Sequence, residues 1–144
     1  MLPSSRCVDL IRTYEGLRLK AYPDPGTGGD PWTIGYGSTG PDIRPGTVWT
    51  LDQAKARLAS DVTKFAAGVA RIAGNCTQGQ FDALVSFAYN CGLANLTGST
   101  LLKKHVAGDH VGAAAEFGKW IKGGGKVLTG LVTRRAEEAR LYRS

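Results

Sequence analysis

The stretch TLDQAKARLASDVTKFAAGVARIA, residues 50–73, decides the fold of this chain. Thr50 and Gln53 have the spacing of a capping box, in which each side chain bonds the other residue's backbone N–H. Behind them, apolar residues recur at steps of three and four: Leu51, Ala54, Leu58, Val62, Phe65, Val69 and Ile72. This period predicts one long amphipathic helix over residues 51–73.

The segment before this helix predicts a short helix and a small sheet. Apolar positions after Ser5 follow a helical period up to Tyr14, and Gly16 ends that helix. Alternation in residues 32–37 is typical of a strand. We therefore expect a small, irregular antiparallel sheet between residues 17 and 50.

The segment after the long helix is helical throughout. A second capping box at residues 77–80 begins one helix, which Gly92 ends. Three shorter helices are expected near 99–107, 109–122 and 130–142, separated by glycines. The predicted class is α+β and mostly α: a small N-terminal lobe with a short antiparallel sheet, a long connecting helix and a C-terminal helical lobe.

Length and composition restrict the class further. A chain of 144 residues is expected to form a single domain, residues 1–144, with sub-lobes of roughly 1–50 and 74–144 joined by helix 51–73. Its net charge of +6 favours an anionic partner but contains no long basic run, so we expect no nucleic-acid partner. No apolar segment is long enough for a membrane anchor, and the first residues do not resemble a signal peptide.

The cysteines and histidines do not predict a metal or cofactor. Three cysteines without CxxC spacing argue against a zinc site. Cys76 and Cys91 bracket a predicted helix, and fifteen residues of helix would separate them by about 22 Å, too far for a disulfide. We expect three buried thiols, with His105 and His110 on solvated helix surfaces.

Three polar residues of the N-terminal half are candidates for chemistry. Glu15 ends a predicted helix, where the helix dipole disfavours an acid. Asp24 lies on a proline-flanked turn, and Thr33 on the glycine-rich strand. Two carboxylates are what glycoside hydrolysis needs, one as general acid and one to activate water or attack the sugar. From spacing alone, however, solvated surface acids are the commoner explanation.

The order of several motifs adds a resemblance. YEGLRLKAYPD at 14–24, WTIGYG at 32–37, TQGQFDALVSFAYNCG at 77–92 and a third block over 124–135 occur in sequence. Together they closely resemble the phage-type lysozymes, the T-even and lambdoid-like muramidases often found as endolysins. The resemblance runs from about residue 7 to residue 142.

The resemblance implies roles for matching residues. Glu15 matches the general acid, Asp24 the carboxylate that holds the attacking water, and Thr33 the hydroxyl that helps to place this water. The family is described as inverting, which requires carboxyl groups about 6.5–9.5 Å apart. Arg135, with Arg134 as the rival, matches the arginine that pairs with the catalytic glutamate.

Other matching positions imply substrate-binding roles, and the sequence departs from the family pattern in two places. Asn90 and Gly92 match positions that line the sugar groove, and Tyr36 could stack on a sugar ring. The loop between Asp24 and Thr33 is about three residues longer than the family pattern, so Asp30 becomes a competitor for the catalytic aspartate. Ser38 stands where many relatives carry histidine, which leaves open how the sheet is braced there.

The expected function is that of a lysozyme-type glycoside hydrolase. It would cleave the β-1,4 bond between N-acetylmuramic acid and N-acetylglucosamine in peptidoglycan, as an endolysin in host-cell lysis. A lytic transglycosylase that gives anhydro-muropeptides and a non-catalytic basic wall-binding module are the alternatives. We expect a monomer without cofactor, made in the host cytoplasm and acting on the wall in the periplasm. The missing export signal implies a holin partner.

Overall fold

A computed structural model describes all residues, 1–144, and confirms the α+β, mostly helical class. The helices are α1 Ser5–Glu15, α2 Leu51–Ala73, α3 Gln78–Cys91, α4 Leu93–Thr97, α5 Thr100–Val106, α6 His110–Glu116 and α7 Thr129–Arg143. The strands are β1 Arg18–Tyr22, β2 Thr33–Gly35, β3 Lys122–Gly123 and β4 Lys126–Val127. No helix is long and apolar enough to span a membrane.

The chain divides into two compact units. The first, here the hairpin unit, is Arg12–Val62, and the second, here the helical unit, combines Met1–Ile11 with Thr63–Ser144. The boundaries fall inside α1 and α2, so each of these helices contributes residues to both units.

Both predicted capping boxes form. The Thr50 backbone N–H donates to Gln53 Oε1 at 2.8 Å, and the Gln53 N–H donates back to Thr50 Oγ1 at 3.1 Å. The same reciprocal pair joins Thr77 and Gln80 at the start of α3. These bonds satisfy backbone donors that have no partner inside a helix, which is why α2 and α3 begin where the sequence predicts.

The hairpin unit is built on an irregular antiparallel pair. Arg18 pairs with Gly35 and Tyr22 with Thr33, so five residues of β1 lie opposite three of β2 and the register is interrupted by a bulge. One face of the pair is covered by a small apolar core of Ala21, Ile34 and Ile43, against which Trp32 and Trp49 pack.

A polar network braces this sheet against α2. Ser38 is 1% exposed, and its hydroxyl donates to Asp61 Oδ2 at 2.7 Å. Arg57 donates to Asp61 Oδ1 at 3.2 Å, to Asp42 Oδ2 at 2.7 Å and to the Thr39 carbonyl at 2.9 Å. The hydrogen bond to Asp42 raises the pKa of Arg57. Ser38 therefore reaches the long helix through a carboxylate, which answers how the sheet is braced without histidine.

The helical unit is centred on α3, which packs mainly against α7. All residues from Gly79 to Ala88 are buried, including Phe81, Leu84 and Phe87. A helix buried on every side lies in the middle of a core rather than on its surface.

The segment after α6 differs from the prediction. The helix expected up to residue 122 ends at Glu116, and a 3-10 turn, Phe117–Lys119, leads into the β3–β4 pair. The turn of this pair is made by Gly124 and Gly125, whose φ angles of 58° and 79° favour glycine. Helix α4 was not predicted either, since five residues are too few for a period to be recognised.

The expectation that His105 is solvated is wrong. His105 is 3% exposed, and its Nδ1 lies 2.6 Å from the hydroxyl of Tyr142 on α7. Its Nε2 lies 3.4 Å from Sγ of Cys76. Burial and the neighbouring His110 lower the pKa of His105, because a charged imidazole is disfavoured there. The short helix α5 thus turns its histidine inward, which the sequence pattern did not indicate.

No cysteine forms a disulfide, and only one cysteine is fully buried. Cys7 is inaccessible, and burial raises the pKa of its thiol to about 12. Cys76 and Cys91 are half-buried, so the expectation of three buried thiols holds for Cys7 alone.

Candidate active site

Glu15 occupies the last position of α1, as the sequence predicts. Gly16, with a φ of 70°, turns the chain out of the helix. A Cβ atom on Gly37 would lie 3.1 Å from Glu15 Oε1, so the carboxylate rests against the backbone of the turn that follows β2. This turn is closed by mutual backbone hydrogen bonds between Ile34 and Ser38, at 2.9 and 3.0 Å. The helix end and the turn together fix the position of the acid.

Asp24 is held by the loop that follows β1. Its Oδ2 accepts hydrogen bonds from the backbone N–H groups of Gly26 and Thr27, at 3.0 and 3.1 Å. The Asp24 N–H donates to the Gly29 carbonyl, and the Asp24 carbonyl accepts from the Gly28 N–H, so the loop closes around this residue. Oδ1 accepts no hydrogen bond from any residue of the chain. A carboxylate with one anchored oxygen and one free oxygen is suited to accept a proton from water.

Thr33 begins β2 opposite Tyr22, two residues before Asp24. Its hydroxyl donates to the carbonyl oxygen of Pro31 at 3.2 Å, which leaves its oxygen lone pairs available to a further donor. The register therefore places Thr33 and Asp24 at the same end of the hairpin.

Strand pairing fixes where the two ends of β2 lie along β1. Glu15 lies at the turn beyond Gly35, and Thr33 is only two residues from Gly35 along β2. Two residues of strand span about 7 Å. Arg18 and Tyr22, the first and last residues of β1, pair with the two ends of β2. The bulge thus lets β1 lie opposite the same short length of strand although it has more residues. The three candidates Glu15, Asp24 and Thr33 all belong to the hairpin unit.

Two further candidates of this unit have defined surroundings. Tyr36 is 5% exposed, and the guanidinium carbon of Arg12 lies 5.9 Å from its ring centre. This contact is typical of packing, and stacking on a sugar stays a prediction. Asp30, the rival aspartate, is exposed, and only its backbone carbonyl is bonded, by the Thr27 hydroxyl at 2.6 Å.

The candidates of the helical unit cluster at the end of α3. The Asn90 side-chain oxygen accepts a hydrogen bond from Nη2 of Arg135. Asn90 also lines a cavity of about 370 Å³ together with Asn95, Trp120 and Lys122. Gly92 ends α3 with a φ of 92°, and its N–H donates to the Ala88 carbonyl at 2.8 Å, so its described role is that of a helix cap.

Arg135 is buried in a charged network rather than exposed on its helix. It is 0% exposed, pairs with Glu138, and donates from Nε to the Trp120 carbonyl at 3.1 Å. Its guanidinium carbon lies 5.1 Å from the ring centre of Phe87. The rival, Arg134, donates to Glu138 at 3.3 Å. Pairing of Arg135 with Glu15 stays a prediction.

Sequence reasoning missed the partner of these two arginines. Glu138 is 0% exposed, accepts from both guanidiniums and also accepts from the Ser86 hydroxyl at 2.5 Å. Burial raises the pKa of Glu138, while the two guanidiniums oppose that rise. The spacings of three and four residues to Arg135 and Arg134 are those of helical ion pairs and could have indicated the network.

Comparisons with known proteins show the family to which the chain belongs. The family model for phage lysozyme matches residues 12–138. The endolysin of Bacillus phage PZA is 49% identical over 138 residues, covering 95% of this chain and 53% of the relative. The endolysin of Acyrthosiphon pisum secondary endosymbiont phage 1 is 42% identical over 98% of this chain and 97% of its own length.

One solved structure shows the same fold. The muramidase domain of SpmX from Asticaccaulis excentricus superposes with a TM-score of 0.88 at 36% identity, over 98% of this chain and 97% of that one. The chain spans about half the length of the PZA relative and of a second Bacillus phage endolysin, that of phage B103. The match to the family model over most of the sequence and the full-length likeness to a muramidase domain establish that the chain belongs to the phage lysozyme family.

Proposed function

We propose that this chain is a muramidase that hydrolyses the β-1,4 bond between N-acetylmuramic acid and N-acetylglucosamine in peptidoglycan. The observation that carries the proposal is the hydrogen bonding of Asp24, whose Oδ2 accepts from two backbone N–H groups while Oδ1 is free, at the same end of the hairpin as Thr33. A fixed carboxylate of this kind serves a reaction in which water must be deprotonated in one orientation.

The proposed mechanism uses two acids and one hydroxyl. Glu15 protonates the glycosidic oxygen, so the leaving sugar departs as a neutral alcohol. Oδ1 of Asp24 accepts a proton from a water molecule, and Thr33 accepts a hydrogen bond from the same water and orients it. Attack from the face opposite to the leaving group inverts the anomeric carbon.

Four other residues have proposed supporting roles. Asn90 and Gly92 line the sugar groove, and Tyr36 contacts a sugar ring. The family resemblance is the support for a role of Arg135 in orienting Glu15; its guanidinium is buried and bonds Glu138, Asn90 and the Trp120 carbonyl.

Hydrolysis is favoured over the two alternatives. A lytic transglycosylase needs one catalytic acid, and the precise anchoring of Asp24 would then have no purpose. The net charge of +6 is the single observation in favour of a non-catalytic wall-binding module. The relatives named endolysins and the muramidase domain favour an enzyme.

Substitution of Glu15 by glutamine tests the proposal. Glutamine keeps the shape of the side chain but cannot donate a proton, so the rate of wall lysis should fall by at least about a hundredfold. Asp52→Asn, which removes an exposed carboxylate from the first turn of α2, is the matched control and should lyse walls as the parent does. If Glu15→Gln clears purified walls at the parental rate, the assignment fails.

The cellular setting is proposed on the same basis. The substrate would be the glycan strands of bacterial peptidoglycan, attacked by a monomer in the periplasm after synthesis in the host cytoplasm. A holin would let the protein cross the membrane. Lysis of cells that express the chain without any holin would contradict this last proposal.

A further inference from the structure

A second concave surface lies in the hairpin unit. It encloses about 470 Å³ and is lined by three prolines and by Asp30, Trp32, Thr39, Ile43 and Arg44; we call it the Trp32 pocket. Its volume falls within the range typical of small-ligand sites, which combine apolar walls with a few polar groups.

The pocket carries two unpaired charges of opposite sign. Neither the Asp30 carboxylate nor the Arg44 guanidinium has a hydrogen bond or ion pair with any residue of the chain, although both line the same cavity. In the same unit, Arg57 instead pairs with Asp42 and Asp61. Asp30 and Arg44 are therefore free to bind the charges of a ligand.

The backbone on both sides of the pocket is fixed. The Thr27 hydroxyl donates to the Asp30 carbonyl at 2.6 Å. The Arg44 N–H donates to Thr47 Oγ1 at 3.0 Å, and the Thr47 N–H donates back to the Arg44 carbonyl at 3.1 Å. Trp32 packs against the buried core between them. A site whose backbone is already ordered loses less conformational entropy when a ligand binds.

The Trp32 pocket is separate from the proposed catalytic residues. Consecutive side chains along a strand point to opposite faces. Trp32 and Ile34 contact the apolar core, so Thr33 between them points to the other face of the hairpin. A ligand in the pocket and the attacking water would thus occupy different faces.

We infer that the Trp32 pocket binds a short peptide with a free side-chain ammonium and a free carboxylate, the chemistry of an uncross-linked peptidoglycan stem. The assignment of the ligand to the cell wall rests on the proposed function. The ammonium would lie between the Asp30 carboxylate and the Trp32 ring, and the carboxylate would pair with the planar guanidinium of Arg44. The prolines and Ile43 would cover the aliphatic carbons. A neutral glycan would leave both charges without partners.

The test is an NMR titration of the Trp32 indole N–H with defined probes. The first probe is Nα-acetyl-L-Ala-γ-D-Glu-L-Lys, whose ε-ammonium is free, the second is the same peptide acetylated at that ammonium, and the third is chitotetraose. We expect the first probe to shift the Trp32 signal and chitotetraose to leave it unchanged.

Charge-removing variants identify the two contacts. Asp30→Asn should weaken binding of the free-ammonium peptide by roughly threefold to tenfold and leave the acetylated peptide unaffected. Arg44→Gln should weaken both peptides by a similar factor. Asp52→Asn and Arg71→Gln, exposed positions on α2, make the same changes of net charge and should bind both peptides as the parent does.

Three results would overturn the inference: no shift of the Trp32 signal at millimolar peptide, equal weakening by the control variants, or a shift produced by chitotetraose. No bond is cleaved in this assay, so its outcome is independent of the lysis experiment. Glu15→Gln protein should bind the peptide as tightly as the parent. Wall lysis that survives Glu15→Gln would reject the proposed function and leave the pocket's ligand intact.

Discussion

Replacing Glu138 by glutamine removes the carboxylate that two buried guanidiniums share. Glu138 and Arg135 are both 0% exposed, and Arg134 is 2% exposed. Glutamine keeps the volume and can still accept one hydrogen bond, but it removes the negative charge that both guanidiniums contact in the core of the helical unit.

The expected loss of stability is large for a change of one atom. Breaking a buried ion pair by removal of one partner costs about 3–5 kcal/mol. With an unfolding entropy of about 2.1 cal/mol/K per residue, this loss lowers the melting temperature of a chain of this length by roughly 10–17 °C. Thermal and urea unfolding followed by circular dichroism measure both quantities.

The neighbouring residue supplies the control. Glu137 has a 41% exposed side chain and pairs with Arg140 at 3.7 Å, a contact that is screened by water. Glu137→Gln should change stability by less than about 0.5 kcal/mol. A loss below about 1 kcal/mol for Glu138→Gln, or equal losses for both variants, would refute the view that Glu138 neutralises the core.

Three further changes have expected results. Ser38→Ala removes the 2.7 Å hydrogen bond to α2 and should lower the free energy of unfolding by about 1–2 kcal/mol in a urea titration; an unchanged midpoint would show that this brace contributes nothing. Gly37→Ala adds a Cβ atom 3.1 Å from Glu15 Oε1 and should reduce the wall-lysis rate at least tenfold. Gly46 has a similar φ of 88° but open space around it, so Gly46→Ala should lower the stability and leave the lysis rate unchanged. The pKa of His105 is lowered in the folded state, so its contribution to stability is present above about pH 6.5 and is lost as the pH falls toward its folded pKa. Unfolding titrations between pH 7.5 and 5 should therefore show the advantage of the parent over His105→Gln shrinking with acid, and a constant difference would contradict this.

Local sequence patterns predicted those helices whose boundaries depend only on nearby residues. The capping boxes at Thr50 and Thr77 and the apolar period behind them give α2 and the start of α3 without reference to the rest of the chain. The family itself was predicted from the order of its motifs, and the comparisons confirm it.

Features that depend on distant residues could not be predicted in this way. The inward orientation of His105 depends on Tyr142, 37 residues away, and the brace at Ser38 depends on Asp61. Helix α6 ends at Glu116, and the 3-10 turn that follows it packs against α7. In each case a tertiary contact overrides the local pattern.

At the candidate site, the sequence predicted which residues are candidates but not how their side chains are hydrogen-bonded. The spacing of Glu15 and Asp24 was weak evidence for a pair of acids, and their assignment came from the order of the family motifs. That Asp24 keeps one oxygen anchored and one free depends on loop hydrogen bonds that no residue pattern predicts.

The stereochemistry of the product tests the central claim most directly. Proton NMR of the first sugar released from a β-1,4-linked glycan shows whether the new reducing end is α or β before the two forms interconvert. A water held by Asp24 and Thr33 opposite the leaving group predicts that the α-anomer forms first. Release of the β-anomer, or of an anhydro sugar without a reducing end, would contradict the account.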